Sequence, residues 1–171
     1  MLDFIVVGLP RSGTAWMANL LNVDNISYCV HDPLIDYRLD QLDEKIVSKD
    51  ETTKVGVSCT GLWYYSDWLN KHKAKKLVIH RNLRDINESL KEIGLPTLNF
   101  NDSSYLRKVK GLYVEYEDLF DIRSIKYIWS YLTDMDNFNE DRFNILKNLN
   151  VQRKIEPEDF LKASNNILEA S

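Results

Sequence analysis

Gly8-Leu9-Pro10-Arg11-Ser12-Gly13-Thr14 is the stretch of this sequence whose residue types could do chemistry as a unit. Its glycines stand at Walker A spacing, Gly8-x-x-x-x-Gly13, but Thr14 occupies the position where that pattern carries lysine. Glycine lets the backbone curl until consecutive N–H groups point inward as an anion nest. A following helix adds unsatisfied N-terminal donors and the positive end of its dipole. Arg11 brings a cation into the loop, and Ser12 and Thr14 bring hydroxyls. The missing lysine removes the usual grip on a β/γ-phosphate. An adenylate carrying one compact terminal oxyanion is therefore a better ligand than a nucleoside triphosphate. The competing reading is a plain strand-to-helix turn, where glycine and proline are common.

A second constellation is Lys76-Leu77-Val78-Ile79-His80-Arg81-Asn82-Leu83-Arg84-Asp85, with Ser89 further along. Arg81 follows an apolar strand directly, and open α/β sheets bind ligands at strand C-termini. Its planar guanidinium suits a phosphate. Ser89, two turns into the next helix, could face the same oxyanion. Alternatively, Arg81 and Asp85 form an i,i+4 ion pair on a solvated helix start.

These residues need elements to hold them. Residues 4–8 predict a strand covered on both faces. Thr14 to Leu21 predicts a helix with Trp16, Met17, Leu20 and Leu21 as its apolar stripe. Ile26 to Val30 predicts a second strand, and residues 35–48 carry helical spacing through Ile35, Leu39, Leu42 and Ile46. Lys54 to Cys59 predicts a third strand, followed by a Trp- and Tyr-rich helix to about Leu69. Lys76 to His80 predicts a fourth strand, leading to a helix that ends near Ile93, before Gly94 and Pro96. Residues 97–104 are polar and turn-forming and predict a mobile loop. Leu112 to Tyr116 predicts a fifth strand. From Ser124 the chain looks helical, with breaks near Asp134–Asn139 and Asn148–Glu156. Alternating strands and helices point to one α/β domain over residues 1–171, a three-layer P-loop NTPase-like sandwich with a mostly parallel sheet of about five strands.

Composition narrows the classes. The 171 residues are 44% hydrophobic with a net charge of −4, ordinary for a globular domain and unfavourable for a nucleic-acid or anionic-membrane binder. No apolar run approaches the ~20 residues that span a bilayer, and Met1 to Gly8 reads as a strand and not a signal peptide. Cys29 and Cys59 form no CxxC pair, so neither zinc nor a disulfide framework is indicated, and a reduced cytoplasm fits.

Phe4-Ile-Val-Val-Gly-Leu-Pro-Arg-Ser-Gly-Thr-Ala-Trp16 resembles the 5′-phosphosulfate loop of the sulfotransferase family. The Arg81–Ser89 block is similar to that family's 3′-phosphate segment, with Leu83 in place of its proline. Tyr113-Val-Glu-Tyr-Glu-Asp-Leu119 is a third, shorter echo. The three blocks cover residues 4–120, and the chain looks like the small bacterial or phage-type P-loop members. The resemblance implies 3′-phosphoadenosine 5′-phosphosulfate as donor, with no metal required. It assigns Pro10, Arg11, Ser12, Gly13, Thr14, Ala15 and Trp16 to the 5′-phosphosulfate side, and Arg81 and Ser89 to the 3′-phosphate. Trp16 stacks on adenine in the family; packing of its helix on the sheet is the other reading.

Sulfuryl transfer to a small hydroxyl or amine acceptor needs a base. The family's histidine is absent from Val57-Ser58-Cys59-Thr60-Gly61-Leu62, and Arg11 replaces its loop lysine. Arg153 and Lys154 lie near the family's late donor loop without matching its pattern. Candidate catalytic residues are His31, with Asp32 beside it, as base and Arg11 for charge stabilisation; a capping or surface role for His31 competes. His80 is expected to face away or into packing, His72 to be solvated in a Lys-rich turn, and Cys59 to be a buried small residue. A P-loop nucleotide kinase or NTPase, and a catalytically silent nucleotide-binding protein, are the alternative functions.

Overall fold

The structure, a computed structural model, describes residues 1–23, 25–48 and 50–149. Phe4–Gly8 (β1) is buried along its whole length, as its unbroken apolar run requires. It lies at the centre of a five-stranded sheet with Ser27–His31 (β2), Lys54–Cys59 (β3), Lys75–His80 (β4) and Leu112–Glu115 (β5), in the order β2-β3-β1-β4-β5. Every neighbouring pair is parallel. Phe4 stands opposite Gly56, where a Cβ would lie 2.2 Å from the Phe4 ring, so that glycine makes room for a buried aromatic side chain.

The helices among the described residues are Thr14–Leu20 (α1), Leu42–Lys45 (α2), Ser66–Lys71 (α3), Leu83–Glu92 (α4), Phe100–Leu106 (α5), Ile122–Thr133 (α6) and Glu140–Lys147 (α7). Alternation along β1 sorts them into two layers. Phe4 and Val6 enter a cluster with Met17, Leu20, Ile125, Trp129 and Phe143, which puts α1, α6 and α7 on one face. Ile5 and Val7 enter another with Leu42, Leu69, Ile86, Leu90 and Leu106, which puts α2 to α5 on the other. The result is the expected three-layer α/β sandwich. No helix of the described residues is long and apolar enough to cross a membrane.

Three local expectations need correction. Residues 35–48 do not form one helix: Pro33–Ile35 and Leu39–Gln41 are 3₁₀ turns and α2 is a single turn. Ile35 is 83% exposed, so only Leu42 and Ile46 of the apolar stripe are buried. A single turn does not repay helix nucleation by itself. It is held by tertiary contacts: Asp43 accepts from the Leu2 N–H at 2.7 Å and meets His72 Nε2 at 3.0 Å. Residues 97–104 were expected as a loop, yet α5 begins at Phe100. The Asn87 side chain brackets the backbone of Leu98, accepting at 2.8 Å and donating at 2.9 Å, and Leu106 and Val109 are buried behind it. The Trp/Tyr-rich segment after β3 opens as a 3₁₀ helix over Gly61–Tyr65 before α3. The second break, near Asn148–Glu156, extends past the described residues.

From β1 the chain crosses over β3 to reach β2, whereas from β4 it runs the other way to β5. The crevice between the C-terminal ends of β1 and β4 is thus the sheet's topological switch point, where open α/β sheets hold ligands.

Candidate anion-binding site

The loop after β1 turns sharply. Ser12 N–H donates to the Leu9 carbonyl at 3.1 Å, and both Arg11 (φ 68°) and Gly13 (φ 87°) are left-handed. Gly13 is required twice over. Its φ disfavours an L side chain, and a Cβ would lie 2.8 Å from Leu119 Cδ1 and 3.2 Å from the Tyr116 ring. Gly13 also caps α1 without a side chain, so the first-turn donors of α1 receive no side-chain acceptor from it. Thr14 is buried, and its carbonyl accepts from Ser58 Oγ at 2.7 Å, which ties the start of α1 to β3. Pro10 lies in the turn, and Ala15 is buried behind Thr14.

The second sequence block arrives at this loop. Arg11 Nε donates to Ser89 Oγ at 2.8 Å. One terminal nitrogen of Arg81 donates to the Arg11 carbonyl, and the Arg81 guanidinium lies 4.1 Å from the centre of the Tyr116 ring. Two guanidinium groups are thereby gathered in a chain of net charge −4, and among the described residues neither forms an ion pair with a carboxylate. The Arg81–Asp85 pair of the alternative reading is not formed; Arg84 pairs with Glu88 instead, at 2.9 Å. Ser12 Oγ and Arg81 Nε are buried without a hydrogen-bond partner. Buried polar groups ordinarily find partners, so two cations and these two free groups constitute a set that an oxyanion would complete. The residues present fit a phosphate-like oxyanion.

Trp16 is committed elsewhere. It is 4% exposed, its indole N–H donates to the Leu146 carbonyl at 3.0 Å, and it packs edge-on against Phe120 and Phe143. Of its two readings, the geometry is that of packing; the described residues leave no open ring face for adenine.

His31 ends β2 in register with Ser58, which in turn pairs with Val6. Two strand spacings, about 10 Å, therefore separate its backbone from β1. Its side chain is 17% exposed and Nε2 lies 3.4 Å from Asp32 Oδ2, without hydrogen-bonding alignment. Burial holds the imidazole below its ordinary value, opposed by the Asp32 charge. Asp32 adopts a left-handed backbone and its Oδ1 accepts from Thr60 N–H at 2.7 Å and Thr60 Oγ1 at 3.1 Å. Asp32 thus clamps the ends of β2 and β3 together.

Of the two expectations for His80, packing is not what is found: its Nδ1 lies 2.7 Å from Glu115 Oε2 at an exposed site. His72 is not solvated but 7% exposed, between Asp43 and the Trp68 ring, with Nδ1 accepting from Ala74 N–H. Cys59 is buried as a small residue, and burial pushes its thiol up to about 12. Arg153 and Lys154 lie outside the described residues. Tyr116 borders the candidate site without having been singled out in the sequence, though the Tyr113–Leu119 echo pointed at its segment. Its ring reaches Arg81 from the 3₁₀ turn Tyr116–Phe120 that follows β5.

The fold and site together define a three-layer α/β protein whose central strand feeds a glycine-bounded loop that contains Arg11 and is met by Arg81. No model of a protein family matches the chain, and no curated protein matches it. Among solved structures, the chain is similar to mouse sulfotransferase SULT7A1 complexed with PAP, at 16% identity and a TM-score of 0.46. That match covers 96% of this chain and 63% of the other, so the chain spans less than two thirds of its length.

Proposed function

We propose that the chain binds 3′-phosphoadenosine 5′-phosphosulfate and transfers its sulfuryl group to a small-molecule hydroxyl or amine. The observation that carries this reading is the contact of the two sulfotransferase-like blocks through Arg11, Arg81 and Ser89. The loop Pro10–Ala15 holds the 5′ group, with Ser12 Oγ as a free donor. Arg81 keeps donors to spare after serving the Arg11 carbonyl, and with Ser89 it holds the 3′-phosphate. Arg11 stabilises charge that builds on the leaving oxygen. When bound, the donor supplies an electrophilic sulfur. His31 takes the acceptor proton on Nε2, and its burial keeps the imidazole neutral and able to do so. Two buried cysteines, Cys29 and Cys59, that form no disulfide with each other fit a reducing compartment such as the cytoplasm.

Thermal-shift titration tests the donor. Stabilisation by 3′,5′-adenosine bisphosphate is expected. Stabilisation by ATP with Mg²⁺ alone would move the chain to the kinase or NTPase class.

A catalytically silent nucleotide-binding protein is the second reading. It is favoured by the separation of His31 from the contacts that join Arg11, Arg81 and Ser89. An acceptor screen with labelled donor, run on the parent and on His31→Ala, separates the two.

A further inference from the structure

An aromatic surface follows the ends of β2 and β3, on residues other than those of the loop and the Arg81–Ser89 block. Pro33–Ile35, the 3₁₀ turn following β2, presents Leu34 against Gly61, the first residue beyond β3 and Thr60. A groove of about 480 Å³ opens there, lined chiefly by Leu34, Tyr37, Leu39, Tyr65 and Trp68. A second groove of about 430 Å³ adjoins it across Tyr65 and Trp68 and is walled by Tyr64 and Tyr105. The volumes fall in the range of small-molecule sites.

The walls are unusual in being both aromatic and wet. Tyr37 is 36% exposed, Tyr105 42%, Tyr65 46% and Tyr64 58%. Tyr64 is held flat by stacking on buried Trp63, with ring centres 3.7 Å apart. These partly exposed rings combine an apolar body with a polar tip. An enclosed apolar slot, which a purely aromatic ligand would prefer, is not what they make. A ligand with apolar ring faces and a hydroxyl rim, extended over more than one ring, matches both grooves.

Charge narrows the class further. Arg38 on the rim is paired with Asp40, and Lys108 lies 4.6 Å over the Tyr105 ring. The lining sets Asp40 and Asp67 against these two cations, so the grooves carry no net charge to draw an anionic chain. From these features we infer that the paired grooves bind a neutral oligosaccharide, the hydroxyl acceptor of the transfer proposed above, on which the acceptor role rests. In that step an acceptor hydroxyl oxygen bonds to the donor sulfur, the bond from sulfur to the phosphate oxygen breaks, the bisphosphate leaves and the hydroxyl proton passes to the base.

Calorimetric titration of the whole chain with maltohexaose, cellohexaose, chitohexaose and 4-nitrophenol tests the inference, alongside 3′,5′-adenosine bisphosphate. Binding of at least one hexaose is expected, weakened about tenfold or more by Tyr65→Ala and by Tyr64→Ala. Both variants should bind the bisphosphate like the parent, which shows that they fold. No hexaose binding, hexaose binding indifferent to both variants, or binding of 4-nitrophenol alone overturns the inference. If the bisphosphate binds and no hexaose does, the groove assignment falls and the donor reading stands. If a hexaose binds and the bisphosphate does not, the donor reading falls and the acceptor role with it.

Discussion

Arg11 and Ser89, 78 positions apart in the chain, meet through a 2.8 Å hydrogen bond from the guanidinium Nε to the hydroxyl Oγ. The bond exists because β1 and β4 are parallel neighbours, so that the loop leaving one and the helix leaving the other emerge at the same edge. A serine hydroxyl cannot neutralise a guanidinium. Arg11 is therefore oriented but keeps its charge available for an anion.

Arg81→Lys tests the geometry of that charge. Lysine keeps the cation but loses the planar fork and its stacking on Tyr116. Bisphosphate affinity should fall by about tenfold or more in calorimetry, in line with ~1.5–3 kcal/mol for hydrogen bonds to charged groups. Unchanged affinity would remove Arg81 from the site.

Gly13→Ala should destabilise the fold by roughly 1–3 kcal/mol in urea unfolding, from its left-handed backbone alone. The crowding by Leu119 and Tyr116 adds to this. Wild-type stability in the variant would mean that the loop relaxes to another conformation.

Trp16→Phe separates packing from stacking. Losing the indole N–H leaves the Leu146 carbonyl without that donor and should cost about 1 kcal/mol. Bisphosphate affinity should not change, because the ring is already covered by protein. A large loss of affinity with little loss of stability would restore the stacking role.

His31 should leave a mark on the pH dependence of stability. Its folded-state value lies below the ordinary 6.5, chiefly from burial. As pH falls through 6.5 the unfolded chain takes up the proton first, so stability declines from there toward the lower folded value and is unaffected above it. His31→Gln should flatten that stretch of the curve in urea melts at stepped pH; a slope identical to the parent's would contradict its burial.

Cys29 and Cys59 are each 1% exposed, and the Cys59 thiol is pushed up to about 12. An Ellman titration at mildly alkaline pH should find both thiols silent in the native protein and both reactive in urea. Rapid reaction of either one without unfolding would show an opening that burial does not provide.

Much of the fold was legible because short-range physics specifies it. The apolar runs of β1, β3 and β4 have one stable use, as strands covered on both faces, and their spacing already implied parallel crossovers. The stretches 35–48 and 97–104 were misread for the opposite reason. In the first, periodicity promised a helix, but Ile35 finds no core to enter and α2 survives on Asp43 contacts from distant chain. In the second, polar composition concealed a helix that Leu106 anchors to the core. His72 was misplaced in the same way, since its burial depends on Trp68 and Asp43.

By itself the sequence determined the strand–loop–helix unit, the glycine spacing that lets its loop curl and the presence of two arginines suited to an oxyanion. These follow from steric limits on φ, from periodicity and from side-chain chemistry, all local properties. Only the tertiary structure decided that Arg11, Arg81 and Ser89 share one crevice, that Trp16 is spent on packing, and that His31 stands two strands away. Those outcomes depend on the order β2-β3-β1-β4-β5, which sets which strand ends are neighbours and which no local interaction encodes.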